Sequence, residues 1–364
     1  MSRQWEVNNL VIRGNDLVLF GNGRMQVAVN ILIRAIHPTT LQPVTLTAAE
    51  LSSIELCDYY NTSEKLTGGW TYTTQENEFS HSMPPGRKDP DEEEPEAADK
   101  EEPEAADKKE PEAAEGEPRA NDQAQRYWVS TTRFESKDIA ARIRQPNNVV
   151  ITTRTGNFDT RVTLRGVVPV SYHMGNVSFE RYDTANASNW DQDNYYLRSN
   201  VHNFKKVDRF GHLPASYAVH GMRHSIGHYT NRGRKFIRYI WDMGPRTTVR
   251  VGYTHRADGS SYPGGKTADI VIREQAHTLC LTRFRLDNEP TNLYPNGFIF
   301  NTWFRIFDIY GNSGEFTVVP SSDRNTMSLR SGAARLGPGS DEPDTHPKEK
   351  DDPSPEETEE PEAS

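Results

Sequence analysis

The sequence predicts an all-β chain: two antiparallel β-sandwich or barrel-like regions joined by a disordered acidic linker, followed by a disordered acidic C-terminal tail. Three observations carry this expectation. Apolar residues recur with a period of two rather than a helical period, turn residues interrupt the chain at short intervals, and strands do not alternate with helices as a parallel sheet requires. The expected division is an N-terminal β domain over 1–83, a linker over 84–124, a C-terminal β region over 125–331 that is one large or two small domains, and a tail over 332–364.

In the N-terminal segment, Val27, Val29, Ile31 and Ile33 alternate with Gln26, Ala28, Asn30 and Leu32, so one face of a strand is apolar. Asn22-Gly23 lies between Leu17–Phe20 and that strand. Both residues tolerate positive φ, so the pair predicts a hairpin turn. One short helix is expected near Thr47, where Thr47 and Glu50 fit a capping box and Leu51 and Ile54 supply a small apolar stripe.

The linker is marked by the unit Glu94-Pro95-Glu96-Ala97-Ala98-Asp99-Lys100. The unit recurs at Glu102–Lys108 and, degraded, from Glu110, a period of eight. Its prolines recur too often for a helix, and its alanines cannot bury enough surface to offset chain entropy. An extended spacer is the expectation. Residues 87–119 carry 15 acidic and 6 basic side chains, a net −9. Residues 337–364 carry 11 and 2, again −9. Against the whole chain's −10, that leaves +8 on the remainder, a cationic body bearing two anionic ribbons.

Beyond the linker, strands are expected over Tyr127–Phe134, Ile139–Ile143, Val149–Thr153, Val162–Val168, Val177–Tyr182, Phe236–Trp241, Val249–Tyr253, Ile270–Ile272, Leu279–Leu286, Phe298–Ile309 and Phe316–Val319. The polar stretch Asp183–Asn194 reads as a loop, and as the place where two smaller domains would join. Cys57 and Cys280 are too far apart to define a disulfide framework and read as buried thiols. The first residues lack the apolar run of a cleaved signal, and no stretch has the apolar length of a membrane span. The expected location is the cytoplasm, or release by a route that needs no cleaved signal.

His220, His224 and His228 share a spacing of four. Gly221 and Gly227 disfavour a helix, and on a strand fourth neighbours stand about 13 Å apart, too far to meet at one ion. Asp183, Asp191 and Asp193 match no calcium-loop spacing. Gly264-Gly265-Lys266-Thr267 has Ser260 where a phosphate loop needs glycine, and a strand pattern follows where a helix is required. No catalytic signature, cofactor or metal centre is read, and the chain is not expected to be an enzyme.

The suggestive feature is a set of basic residues interleaved with tyrosines: Arg232, Arg234, Lys235, Arg238, Tyr239, Arg250, Tyr253, Arg273, Arg283 and Arg285. Alternation with apolar neighbours predicts that they emerge on the solvent face of a sheet. Such a face suits phosphates, acidic sugars or the chain's own acidic segments. The expectation is a non-enzymatic binding or structural protein that recognises a protein, glycan or other polyanion through this face. Two alternatives stay open: a β-rich secreted toxin or toxin component that engages a membrane or receptor, and a nucleic-acid-binding protein autoinhibited by its acidic tail. No nucleic-acid motif supports the latter, and homo-oligomer formation is open.

Overall fold

A computed structural model describes residues 4–14, 17–85, 122–156, 158–188, 190–211, 225–231, 234–244, 248–252, 267–273, 275–287, 298–299 and 302–333. The expected linker and tail therefore lie almost wholly outside the described residues. The described chain is nearly all β, with one short helix, and divides into two compact units.

The first unit comprises Met1–Val170 with Tyr310–Asn312. Its strands are β1 (Glu6–Gly14), β2 (Val18–Phe20), β3 (Val27–Ile36), β4 (Pro43–Val44), β5 (Glu55–Asp58), β6 (Trp70–Thr73), β7 (Gln123–Thr131), β8 (Ser136–Arg144), β9 (Val150–Thr152) and β10 (Val162–Val167). One sheet runs β1-β3-β7-β6, with β4 on β3, and the other runs β2-β10-β8-β5, with β9 on β8. All pairs are antiparallel except β10 with β2.

The apolar face of β3 is realised, with Val27, Val29, Ile31 and Ile33 each fully buried; on the other face Ala28 and Asn30 are half-buried, but Gln26 and Leu32 are buried as well. Leu10, Ile12 and Val129 of the same sheet and Ile139, Ala141 and Leu164 of the other are buried as well, and each buried Val or Ile side chain contributes about 1.5–3 kcal/mol. The helix α1 (Ala48–Ser52) starts as its capping box predicts. Thr47 Oγ1 accepts from Glu50 N at 3.2 Å, and Glu50 Oε2 accepts from Thr47 N at 2.7 Å. Glu50 Oε1 also accepts from the indole of buried Trp5 at 2.6 Å, which ties the helix to the start of β1.

Asn22-Gly23 is a turn, with Gly23 at φ +70 and Asn22 Oδ1 accepting from Arg24 N and Met25 N at 2.8 Å. It does not close a hairpin. β2 pairs with β10 and β3 pairs with β1, so the turn carries the chain from one sheet to the other.

The structure also differs from the expected boundary at 84–124. β7, which follows that segment, lies between β3 and β6, and β8 pairs with β5. The segment 1–83 is thus not a closed domain. Without β7, the pairing groups of Val27–Ile33 would form an open edge.

The second unit comprises Ser171–Ile309 and Ser313–Ser364. Its strands are β11 (Val177–Ala187), β12 (Trp190–Ser199), β13 (Phe204–Phe210), β14 (Ser225–Asn231), β15 (Arg234–Ile240), β16 (Thr248–Gly252), β17 (Thr267–Val271), β18 (Leu279–Leu286), β19 (Phe298–Ile299), β20 (Trp303–Asp308), β21 (Ser313–Pro320) and β22 (Met327–Ser331). They form a six-stranded sheet β11-β12-β18-β15-β14-β19, a four-stranded sheet β13-β20-β21-β22 and a ribbon β16-β17. The stretch 183–194, expected as a loop between domains, is instead a hairpin within the large sheet. Cys57 and Cys280 are both buried, and burial pushes the Cys57 thiol up to about 11.

Proteolytic cleavage within 86–121 should leave fragments that remain associated through native gel filtration and part only in denaturant. A fragment ending near Pro85 that folds by itself into a cooperative, monodisperse species would contradict the β3–β7 pairing.

Candidate functional site

The large sheet of the second unit brings together several of the expected basic residues, but in its interior. Across the strands one row reads Asp183, Asp193, Arg283, Arg238 and Gly227. Arg238 is 2% exposed, Arg283 0% and Tyr239 0%. The alternation places Arg238 and Arg283 on a common face, as expected, yet that face is covered. Tyr239 points to the opposite face and stacks on Trp241 with ring centroids 4.8 Å apart.

Charge pairing explains how guanidinium groups survive there. Arg283 Nη2 donates to Asp193, itself 1% exposed, and Arg283 Nη1 donates to Asp191 at 2.5 Å. Arg181 adds Nε and Nη2 bonds to Asp193 Oδ2 at 2.9 and 2.7 Å. Arg285, half-buried, pairs with Asp191 at 3.6 Å and Asp287 at 3.3 Å. The carboxylates of Asp183, Asp191 and Asp193 lie within 4.8 Å of one another, but Asp191 and Asp193 are already paired with these arginines.

On the opposite face, Gln192 exchanges two hydrogen bonds with the backbone of Val271, at 2.6 and 3.0 Å, as a neighbouring strand would. Asn194 donates to Val271 O and Ile272 O at 2.8 and 2.9 Å, and accepts from Thr282 Oγ1 at 2.8 Å. These amides, fully buried, anchor the end of β17 to the sheet.

The other expected residues are scattered. Arg234 is exposed and pairs with Asp287 at 3.2 Å, and Arg273 is exposed with φ +46 just after β17. Lys235, Arg250 and His228 are placed by backbone alone, in β15, β16 and β14. Arg232, Tyr253, His220 and His224 lie outside the described residues.

An exposed cluster in the first unit was not legible in the sequence. Tyr59 and Tyr60 follow β5, with rings edge to face at 5.3 Å, and Tyr60 is 65% exposed. The Tyr60 hydroxyl donates to Asp138 Oδ2 at 2.9 Å, and the Tyr59 hydroxyl donates to Asp159. Arg154 and Arg161 each stand 5.3 Å over the Tyr59 ring. Arg154 donates to the carbonyls of Tyr59 and Tyr60 at 3.1 and 3.2 Å, and Arg161 pairs with Asp138 at 3.3 Å. The Thr163 hydroxyl bond holds the Asp138 carboxyl below the usual range, against the opposing pull of burial. The bond to Asp159 raises the Tyr59 hydroxyl, so that tyrosine stays a protonated donor at neutral pH. With Lys137 paired to Asp58, the patch sets three cations against three carboxylates and has no net charge.

Asp193→Asn should lower unfolding free energy by about 3–5 kcal/mol, because it leaves Arg283 buried with half its counter-charge. A loss below about 1 kcal/mol in chemical denaturation would contradict the pairing. No protein-family model matches the sequence, and no curated protein matches it.

Proposed function

We propose that the protein is a non-enzymatic binding protein that recognises another macromolecule, and that the partner is a glycan held by the Tyr59–Tyr60 patch. The observation that supports this reading is the exposed tyrosine pair whose hydroxyls are fixed on Asp138 and Asp159 while two guanidiniums crowd one ring. An aromatic edge and face provide apolar area at low conformational cost, and fixed polar groups around it supply direction. A neutral sugar hydroxyl both donates to a carboxylate and accepts from a guanidinium, which suits a patch of balanced charge. A polyanion gains little there, because Arg161 and Lys137 each have a carboxylate beside them and Arg154 is bonded to the carbonyls of Tyr59 and Tyr60.

This reading keeps the expected class of function and moves the binding surface. Arg238 and Arg283, central to the expected basic face, are committed to the interior of the second unit. Among the described residues, no helix is long and apolar enough to cross a membrane.

On a glycan array, the full chain should bind a restricted set of neutral oligosaccharides. Tyr60→Ala should weaken that binding about tenfold or more, as removal of an aromatic anchor does. Binding should persist on acidification through the usual carboxylate range, since the Thr163 hydrogen bond holds the Asp138 carboxyl below it, and fade only once that carboxyl is protonated. Absence of any glycan signal, or equal binding by wild type and Tyr60→Ala, would overturn the proposal.

A further inference from the structure

The charge row in the second unit does not balance at Arg238. Its neighbour Arg283 gives both terminal nitrogens to Asp191 and Asp193 and leaves only its Nε without a partner. Arg238, 2% exposed, has no hydrogen bond or ion pair to any described residue, and its Nε is buried without a partner. An isolated buried guanidinium costs several kcal/mol, so proteins pair such a group or bring an anion to it.

The described neighbours on its own face supply no such anion. Along β15, the side chains on the same face as Arg238 are Phe236 and Ile240, both buried and apolar. Across the sheet, Arg238 has Arg283 on one side and Gly227 on the other, and neither offers a counter-charge. A second guanidinium, Arg324, acts on the same point. It sits at φ +62 in the β21–β22 turn, which is closed by the Ser321–Thr326 hydrogen bonds. Burial pushes the Arg238 guanidinium down to about 10, and the like charge of Arg324 pushes it the same way. An oxyanion on Arg238 would relieve both effects. Two strands, β14 and β19, separate β15 from the sheet edge, and edge strands open locally at lower free energy than a whole unit unfolds.

We propose that Arg238 is the binding residue for a small oxyanion, a carboxylate or phosphate group. The planar fork of Arg238 gives such a group two parallel N–H donors, which a spherical ion cannot use together. The site is independent of the Tyr59–Tyr60 patch and does not rest on the glycan reading.

The test is thermal unfolding of the full chain in inorganic phosphate, acetate and chloride at equal ionic strength, with calorimetric titration of phosphate. Wild type should show a midpoint rise on the order of 2–4 °C that saturates with phosphate or acetate concentration, together with a saturable heat for one site per chain. The arm that saturates at the lower concentration names the preferred oxyanion. Arg238→Met should lose the rise while folding at least as well in chloride, because it removes an unpaired buried charge. Equal midpoints in all three salts with no saturable heat would overturn the proposal. So would an undiminished phosphate rise in Arg238→Met. The wild-type titration stands even where that variant does not fold.

Discussion

Taking Asp193 and Arg283 out of water, at 1% and 0% exposure, carries an effective desolvation cost of several kcal/mol for each ion. That cost constrains the second unit. Asp193 must meet Arg283 across β12 and β18, Arg181 must reach Asp193 from β11, and Asp191 must take the second Arg283 nitrogen. A register slip of one residue in β12 would turn Asp193 to the opposite face and place Gln192 or Asn194 opposite Arg283. The ion pairs therefore specify register in a sheet whose apolar pattern alone would allow a slip.

The opposite face of the same strands applies a second constraint by different chemistry. Gln192 and Asn194 bond the backbone of Val271 and Ile272, Tyr196 donates to Ile272 O at 2.9 Å, and Trp241 Nε1 donates to Thr282 Oγ1 at 2.8 Å. A slip would separate these amides from their partners and leave them buried and unsatisfied, at about 1–3 kcal/mol each. Charge on one face and amides on the other thus demand the same alignment of β12 and β18.

Local signals in the sequence are the ones that the structure reproduces. The period of two in Val27–Ile33 and the Thr47–Glu50 capping box involve neighbours in the chain, and each holds. Non-local information is where the reading stops. Asp183–Asn194 resembles a solvated loop because its carboxylates need partners, and those partners, Arg283 and Arg285, arrive from about 90 residues away. Alternation correctly groups Arg238 with Arg283, but it says nothing about whether another layer covers the face they share. The acidic segment looks like a boundary by composition, yet the strands on its two sides pair with each other. The Tyr59–Tyr60 patch is assembled with Arg154, Arg161 and Asp138 from three other segments, so only the adjacent tyrosines were visible.

Both proposals depend on which charges face water. The Tyr59–Tyr60 patch offers fixed, exposed groups to a partner, whereas Arg238 and Arg283 of the large sheet serve the interior. The most direct measurement is arginine-selective labelling of the folded full chain with phenylglyoxal, read residue by residue by mass spectrometry. Arg161 and Arg234, with side chains 50% and 59% exposed, should react readily, while Arg238 and Arg283 stay protected until the protein unfolds. Labelling of Arg238 and Arg283 at the rate of Arg234 in the native state would contradict this account and restore the solvent-facing basic sheet.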